Sequence, residues 1–327
     1  MNLKKLNIRK HLVGNLSLLI TCGLFVVLCF AGIISFHFQL RTFLNLLNSN
    51  SYLLIVAVGV SFVLLTGGID ISVASTVAFT CMFSAFLMQL GVSPAIVIPL
   101  VLLLGFLFGD LMGFLINRYE MQPFIVTLAG LFFLRGMCAV ISTTSIAINN
   151  DFYTVMSLGK ITLGKGENIY YHVLIALIIV TAAYYILRFT KFGRSVYAVG
   201  GSAQSAHLMG LPVKRITVMV YAISGFCAAL GGVVYSFTAT AGDPLQNMGL
   251  ELDAISSAVI GGTLLSGGVG SVIGTGFGVL IQGIVQTIVV YLNLNTWWTK
   301  VVNAALLCIF IVIQRMISSR SERAKRI

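Results

Sequence analysis

The sequence predicts an all-α membrane protein that crosses a lipid bilayer about ten times. Three observations support this fold class. Of the 327 residues, 58% are hydrophobic and only 9% are charged, and the mean hydropathy is +1.02. Apolar segments close to the ~20 residues that span a bilayer recur along the chain. Basic residues concentrate at the two termini and in one polar interval. A water-soluble domain cannot bury so much apolar surface, so a soluble fold is excluded.

The candidate spans share a length and composition suited to crossing a bilayer as a helix. In chain order they fall at 17–36, 50–66, 73–90, 94–117, 122–142, 172–188, 216–238, 252–266, 270–291 and 297–314. A polar interval at 143–171 separates the first five from the rest, and a second lies at 191–215. The segments 50–66 and 252–266 are short, so each is either a full crossing or a broken, partly re-entrant helix. We predict a single transmembrane domain over residues 1–327.

The first span follows a basic N-terminus with four Lys or Arg residues, Lys4, Lys5, Arg9 and Lys10. No small-residue cleavage site follows the apolar run, and many later spans retain the chain in the bilayer. This segment is therefore interpreted as an uncleaved first helix.

The distribution of Lys and Arg predicts the orientation of the chain. With the N-terminus inside, six crossings precede the 191–215 interval and four follow it, so this interval and the C-terminal tail return to the same side. Fifteen basic residues then lie inside and four outside, namely Arg41, Lys160, Lys165 and Lys300. Because cytoplasmic flanks of spans are enriched in Lys and Arg, both termini are predicted to be cytoplasmic.

Two short glycine turns join neighbouring spans in a similar way. Leu64 to Asp70 reads LLTGGID, and Leu264 to Gly270 reads LLSGGVG. Interrupted segments in corresponding positions indicate a transport pathway in repeat-built transporters, although such turns also arise by chance. We select Gly67, Gly68, Asp70, Gly267 and Gly268 as candidate hinge or gate residues. Asp70 is open to two interpretations, a helix cap, or a functional residue that contacts a cytoplasmic partner or controls an inner gate.

Glycines at four-residue spacing form a smooth stripe on each of two spans, at positions 105, 109 and 113 and at positions 270, 274 and 278. Such stripes let helices in a membrane approach closely. They indicate packing and not a substrate site.

Asp110 and Arg135 are charged residues well inside predicted spans. Since an unpaired charge there costs at least ~2.5–3.5 kcal/mol, each must face a polar group. Arg135 either pairs with Asp110 or lines a path for a hydroxyl-rich solute. Proton coupling is disfavoured because His172 and Asp253 stand at the ends of their spans, and no further acidic residue or histidine lies deep enough to extend a relay. A second acidic cluster, Asp243, Glu251 and Asp253, lies at the predicted outer mouth, where it caps a helix or meets a delivering protein.

The sequence lacks the motifs of nucleotide-binding, metal-binding and catalytic sites. Residues 159–165 read GKITLGK, but Gly166 stands where a phosphate loop has Ser or Thr, and no strand precedes the segment. The six cysteines lie in apolar runs without metal-ligand spacing, and no nucleophile and base are found together. We predict no catalytic residue, no metal and no bound cofactor, and any ATPase must be a separate chain. The net charge of +11 follows membrane topology and does not indicate nucleic acid.

The interval 191–215 reads KFGRSVYAVGGSAQSAHLMGLPVKR, a basic, small-residue loop suited to being held by another protein. It resembles the cytoplasmic coupling loop of the ribose-type monosaccharide ABC importer permeases. Further motifs extend the resemblance over nearly the whole chain: GGIDIS from Gly67, TLAG from Thr127, FLRG from Phe133, ELDAI from Glu251 and IGGTLLSGGVG from Ile260. Trp297 to Lys300 and Ile146 to Asn149 are most similar to galactofuranose-type members of that family.

The resemblance implies the ribose/vitamin B12 type of ABC importer permease fold in the plasma (inner) membrane of a bacterium. It also implies three partners: a second permease, expected to be a distinct homologue, a cytoplasmic subunit that binds ATP and Mg, and an extracytoplasmic sugar-binding protein. The sugar is left open between galactofuranose and other furanose or fructose-type sugars.

Residue roles follow as hypotheses. The candidate contacts for coupling to the ATPase lie in the loop at Arg194, Gly200, Gly201, Ala206 and Gly210. The candidates for the substrate path are polar or aromatic residues able to meet sugar hydroxyls: Thr127, Arg135, Gln282, Gln286 and Trp298. Two rival classes are an ion-coupled secondary solute transporter, and a non-transporting scaffold or enzyme, which the lack of convergent catalytic residues disfavours.

Overall fold

The computed structural model describes residues 3–162, 164, 167–295 and 297–326. Lys165, one of the four basic residues assigned to the outer side, lies outside the described residues. Within this part of the chain the helices are α1 (Leu3–Phe36), α2 (Leu40–Leu65), α3 (Val73–Gln89), α4 (Pro94–Arg118), α5 (Pro123–Ile141), α6 (Asp151–Leu158), α7 (Tyr171–Phe189), α8 (Lys191–Gly201), α9 (Ala203–Leu208), α10 (Val213–Ala239), α11 (Leu250–Ile260), α12 (Val272–Tyr291) and α13 (Trp297–Arg326). The strands are β1 (Ile146–Ala147), β2 (Lys160–Thr162), β3 (Asn168–Tyr170) and β4 (Ala241–Gly242).

The predicted all-α, polytopic fold class is confirmed. Eight of the described helices are long and apolar enough to cross a membrane. The 17-residue α3 and the 11-residue α11 occupy the two remaining predicted crossings. The strands form two small antiparallel pairs, β1 with β4 and β2 with β3, in the connections between spans.

The structure shows which of the two short segments is a full crossing and which is a broken helix. The segment 50–66 is the second half of α2, a continuous helix of 26 residues. The segment 252–266 contains α11, which has only 11 residues and rises about 16 Å, roughly half the hydrocarbon thickness. Non-helical chain from Gly261 to Ser271 completes this crossing before α12 begins. Gly261, Gly262, Thr263 and Gly267 of this segment are buried, and non-helical backbone at membrane depth is tolerated where protein covers it.

The helix bundle has two chemically different ends. One carries both strand pairs, and we call it the hairpin end; Asn48 near the start of α2 anchors it by donating to the Asn168 carbonyl at 2.9 Å. The other carries α8, α9 and the two glycine turns, and we call it the loop end. The chain reaches the loop end at Gly67, at α8 and at Gly267, so the predicted order of crossings places these segments together.

The core is built around α2 and α10, which pack against each other along their lengths. From Leu53 to Leu65 every side chain of α2 is buried. The buried face of α10 includes Val220, Tyr221, Ala228 and Val234. A helix that is apolar all round belongs in the middle of a membrane bundle, and α2 has that position.

The glycine stripe of α4 faces α10. A Cβ atom at Gly105 would contact Ala229, one at Gly109 would overlap the Tyr221 carbonyl, and one at Gly113 would contact Val218. These contacts confirm the predicted packing role, because each needs the two backbones to approach closely.

The second stripe, on α12, faces α11. Gly274 lies against Gly261, and Gly278 lies against the carbonyl oxygen of Ser257. Gly270 precedes α12 and instead lies beside Thr263. Two of the three glycines therefore serve the predicted helix contact.

The C-terminal end of α11 needs hydrogen-bond donors, because a helix leaves its last carbonyls without intrahelical partners. Side chains from the first and last helices supply them. The Thr21 hydroxyl of α1 donates to the Ile260 carbonyl, and the Gln314 amide of α13 donates to the carbonyls of Val259 and Thr263 at 3.0 and 3.4 Å. The broken helix is thus held by α1 and α13 at a depth where water is scarce.

Candidate functional site

Four glycines meet at the loop end, and we call this cluster the glycine junction: Gly67, Gly200, Gly267 and Gly268. The Gly268 N–H donates to the Leu65 carbonyl at 2.9 Å, so the two glycine turns are bonded directly to each other. A Cβ atom at Gly200 would overlap the Leu65 oxygen, and one at Gly267 would lie 2.7 Å from the Gly67 nitrogen. Helix α8 therefore rests on both turns at Gly200, with no room for a side chain at that position.

The two turns share a local geometry as well as a sequence pattern. Gly67 and Gly267 have φ of 81° and 82°, a left-handed conformation that favours glycine. In each turn the glycine N–H donates to the carbonyl three residues earlier, Leu64 at 2.9 Å and Leu264 at 3.0 Å. The similarity is limited to the turns themselves. Helix α2 ends at Leu65, within the first LLxGG pattern, whereas α11 ends at Ile260, before the second pattern begins.

Helix α8 is fixed to the bundle by a cap and by one long-range hydrogen bond. Thr190 caps its N-terminus by accepting from the Gly193 N–H at 3.1 Å. The Tyr197 hydroxyl donates to the Gly270 carbonyl at 2.9 Å, on the chain that enters α12. Burial raises the pKa of the Tyr197 hydroxyl, so it stays a donor at neutral pH. The Tyr197 hydrogen bond thus joins α8 to the Gly267–Gly270 segment.

The five candidate coupling residues divide between two faces of the loop. Arg194, Gly201 and Gly210 are exposed or have open space around them, so they are available to a partner. Ala206 is fully buried and Gly200 contacts the junction, so these two support the loop from inside.

The tip of the loop exposes two large apolar side chains that the sequence hypothesis did not include. Leu208 is 82% exposed and Met209 is 69% exposed. Leu208 is the last residue of the short helix α9 and Met209 follows it. The end of the helix is closed by Gly210, with φ of 80°, and by the Leu211 N–H donating to the Ala206 carbonyl at 3.0 Å. Neighbouring apolar side chains exposed on a polar loop are typical of an interaction surface.

Asp70 is buried and accepts three hydrogen bonds. Its Oδ1 accepts from the Ser72 N–H at 3.0 Å and from the Ser72 hydroxyl at 2.7 Å, and its Oδ2 accepts from the Ser224 hydroxyl of α10 at 2.8 Å. The Tyr221 hydroxyl donates to the neighbouring Ile69 carbonyl at 3.2 Å. The carboxylate thus supports the start of α3, as a cap would, and also joins the first glycine turn to α10.

The candidate substrate-path residues do not come together in this chain. Thr127 is buried and donates within its own helix to the Pro123 carbonyl at 2.9 Å. Gln282 is buried, and its amide has no hydrogen-bond partner among the described residues. Gln286 and Trp298 are exposed. Helix α5 packs on α3 and α4, whereas α12 packs on α1, α2 and α11, so the set lies on different sides of the bundle.

Arg135 does not pair with Asp110. Its Nη1 donates instead to the carbonyls of Pro244 and Gln246, at 2.9 and 2.7 Å. The guanidinium thereby clamps the connection between α10 and α11 at the hairpin end. Two backbone carbonyls can satisfy an arginine in place of a carboxylate, because the guanidinium group presents several N–H donors at once.

The acidic cluster at the hairpin end is used locally. Asp243 accepts from the Leu245 N–H at 2.8 Å, and Asp253 in the first turn of α11 pairs with Lys300 at 3.1 Å. Asp243 therefore closes a turn ahead of α11 and does not cap that helix, whereas Asp253 joins α11 to α13.

A family profile decides the class of the molecule. Residues 42–311 match the family described as "Branched-chain amino acid transport system / permease component". The chain belongs to this permease family. The matched region includes the glycine junction, the Asp70 network and the loop with α8 and α9, and the predicted resemblance to monosaccharide importer permeases is confirmed by named relatives.

The chain is 45% identical over 309 residues to "Inner membrane ABC transporter permease protein YjfF" of Escherichia coli K12, covering 92% of each chain. It is 38% identical to "Fructose import permease protein FruG" of Bifidobacterium longum, covering 84% of this chain and 82% of the relative. It is 34% identical to "Ribose import permease protein RbsC" of Haemophilus influenzae, covering 86% and 88%. No solved structure matches the chain.

The sequence patterns did not identify Tyr197, Tyr221 or Ser224 as site residues. Each bonds to a residue more than 70 positions away, so no local spacing connects them. A polar group within an apolar span was the available signal for Tyr221 and Ser224, since such a group requires a partner. The apolar pair Leu208 and Met209 in an otherwise polar loop was visible in the sequence.

Proposed function

We propose that this chain is a permease subunit of an ATP-driven monosaccharide importer, and that the α8–α9 loop transmits movement from a separate ATPase to the bundle. The observation that carries the proposal is the glycine junction. One helix, α8, contacts both glycine turns, and these turns end α2 and precede α12. A push on α8 then moves two crossings together and changes access to a path between helices.

The proposed orientation puts the loop end in the cytoplasm. The loop-end segments hold Arg118, Arg188, Lys191, Arg194, Lys214 and Arg215, whereas the hairpin end of the described chain holds Arg41, Arg135, Lys160 and Lys300. This asymmetry follows the positive-inside pattern. The exposed Leu208 and Met209 would then face a cytoplasmic partner, in which ATP and Mg would bind.

The proposed substrate is a neutral monosaccharide that enters in a furanose or fructose-like form. The names of relatives support a sugar, because they include a fructose permease and ribose permeases. The motif likeness at Trp297–Lys300 supports a galactofuranose-type sugar within this class. An extracytoplasmic binding protein would deliver the sugar, and a second permease would complete the path.

The test of coupling uses an exposed glycine of the loop. A Cβ atom added at Gly201 would meet nothing within 4 Å, so a Gly201→Trp variant should keep the fold of the chain while obstructing the partner's approach. We expect the variant to be inserted normally in the membrane, to lose co-purification with the ATPase and to lose sugar uptake in reconstituted vesicles. Gly201→Ala, which adds only a methyl group at the same place, serves as the control and should retain both.

The outcome that contradicts the proposal is ATPase binding and ATP-driven uptake by Gly201→Trp at the level of the Gly201→Ala control. Uptake by this chain alone, driven by a sodium or proton gradient without an ATPase, would instead identify the ion-coupled secondary transporter. A panel with labelled galactose, fructose and ribose on the cognate binding protein determines the sugar.

A further inference from the structure

A polar cavity of about 600 Å³ opens at the hairpin end between the C-terminal ends of α3 and α5 and the chain that leads into β1. Its polar lining residues carry neutral amides or hydroxyls: Gln89, Ser142, Thr144, Ser145 and Asn149. None of the lining residues is Asp, Glu, Lys, Arg or His. The volume lies within the range of small-molecule sites.

The side-chain groups around this cavity that are free to form hydrogen bonds are uncharged. Ser142 and Thr144 bond to each other, with the Ser142 hydroxyl donating to the Thr144 carbonyl at 2.8 Å. The side chains of Gln89, Ser145 and Asn149 have no hydrogen-bond partner within the described part of the chain, and all three are exposed. Amides and hydroxyls both donate and accept, which matches the hydroxyl groups of a sugar and offers nothing specific to an ion.

An aromatic ladder leads from the cavity toward the middle of the bundle. Phe86 lines the cavity, and Phe83 and Phe79 follow on the same face of α3 at helical spacing. The rings of Phe79 and Phe83 are stacked, with centroids 5.5 Å apart and an interplanar angle of 9°. All three side chains keep part of their surface exposed, while Phe83 and Phe79 also pack against neighbouring buried apolar residues.

Together these features point to one ligand chemistry. A sugar has hydroxyl edges that need donors and acceptors, and apolar C–H faces that lie against aromatic rings. The cavity offers the first and the ladder offers the second. A docked protein loop would use the polar rim but would not need aromatic faces that continue down a membrane helix.

We infer that the cavity between α3, α5 and β1 is the entry site for the monosaccharide, and that Phe86, Phe83 and Phe79 guide its ring into the bundle. The inference rests on the proposed importer function, and names the place where the delivered sugar first contacts this chain. Gln89 and Asn149 orient the hydroxyl groups of the sugar. The phenylalanine rings contact its apolar C–H face, whatever the arrangement of its hydroxyl groups.

The first experiment measures sugar transported per ATP hydrolysed. The complete importer, with ATPase, second permease and loaded binding protein, is reconstituted in vesicles with a Gln89→Ala/Asn149→Ala double variant. Losing two neutral hydrogen bonds should lower uptake about tenfold. ATP hydrolysis stimulated by the binding protein should stay at the wild-type rate, because docking is unaffected. Phe83→Leu, which keeps an apolar side chain but removes the ring face, should show the same separation.

A matched control lies on the same end of the molecule. Thr238 is exposed near the end of α10 and does not line the cavity. Thr238→Ala should leave uptake and ATP hydrolysis unchanged. A parallel loss of uptake and stimulated hydrolysis in the double variant would overturn the inference and identify the cavity as a docking site for the binding protein. Unchanged uptake in the double variant and in Phe83→Leu overturns it as well.

The second experiment detects the ligand directly. A Ser145→Cys variant is labelled with a membrane-impermeant maleimide, and the unmutated chain gives the background from its own cysteines. Millimolar galactose, fructose or ribose should slow labelling of Ser145→Cys and leave Thr238→Cys unaffected. Protection by the binding protein but by none of the free sugars contradicts the inference.

These results separate the inference from the function on which it rests. If the wild-type complex transports no sugar with ATP, the importer proposal itself fails. If the wild type transports and the variants behave like it, only the entry site is wrong.

Discussion

At the scale of single residues, Asp70 shows how one carboxylate can organise a turn inside a membrane protein. A buried carboxylate is costly unless it is hydrogen-bonded, and here Ser72 and Ser224 satisfy both oxygens. Since Ser224 belongs to α10, the cap of α3 is also a link to the centre of the bundle. The structure shows hydrogen bonds of the kind that a cap makes, whereas contact with a cytoplasmic partner or control of an inner gate stays a prediction.

Replacing Asp70 by alanine should destabilise the chain by about 1–3 kcal/mol, because it leaves the buried Ser72 and Ser224 hydroxyls without their acceptor. Thermal unfolding of the detergent-solubilised chain measures the loss. Ser224→Ala should cost less, since it removes one donor and leaves the other two bonds to Asp70. Asp151→Ala, at the exposed start of α6, is the control and should change stability little. Equal stability of Asp70→Ala and the control would show that the network does not stabilise the fold.

Gly200 and Gly201 are neighbours with opposite surroundings. A methyl group at Gly200 would overlap the Leu65 carbonyl oxygen, whereas one at Gly201 meets no atom within 4 Å. Gly200→Ala should therefore cost about 1–3 kcal/mol of folding free energy, and Gly201→Ala less than about 0.5 kcal/mol. Parallel denaturation of the two variants measures the difference. Identical curves would mean that α8 does not lie against the turns as closely as described.

At the scale of elements, α11 is the helix that departs most from a simple crossing. It ends after 11 residues and leaves its terminal carbonyls within the bundle. Thr21 and Gln314 bring donors from α1 and α13, so the first and last helices act as caps for a helix in the middle of the sequence. This arrangement gives α1 and α13 a role beyond filling the membrane.

Gln314→Leu keeps most of the side-chain volume but removes the donor to the Val259 and Thr263 carbonyls. We expect a loss of about 0.5–1.5 kcal/mol in unfolding free energy, because the Gln314 hydrogen bonds are lost while the Val259 carbonyl still accepts from the Gly262 N–H at 2.9 Å. Gln286→Leu makes the same chemical change at an exposed position of α12 and should be close to neutral. Comparable melting temperatures for the two variants would refute the capping role of Gln314.

At the scale of the whole molecule, the two ends of the bundle have distinct tasks. The loop end joins α8 to both glycine turns, and the hairpin end carries the Arg135 clamp, the Asp253–Lys300 pair and the polar cavity. An importer requires such a division, because energy arrives on one side of the membrane and substrate on the other. In the proposed mechanism, the helices that pass between the ends transmit movement from one end to the other.

The orientation is tested by accessibility in intact cells. Ser205→Cys on α9 should be protected from an impermeant thiol reagent, since the basic loop is expected in the cytoplasm. Thr238→Cys at the hairpin end should be labelled without opening the cells. In inside-out vesicles the two positions should exchange their accessibility, and the unmutated chain gives the background. A reversed pattern in cells would overturn the orientation.

The sequence by itself determined the fold class, the number of crossings and the packing role of the α4 stripe, because these depend on composition and on spacing within a single helix. The motifs also identified the glycine turns and the loop. Only the tertiary structure decided which glycines touch, which coupling residues face outward, that Arg135 binds backbone carbonyls and not Asp110, and that Thr127 and Gln282 lie apart. The physical reason is distance along the chain: a helix pattern reports which face is buried, but which partner buries it depends on how ten crossings pack together.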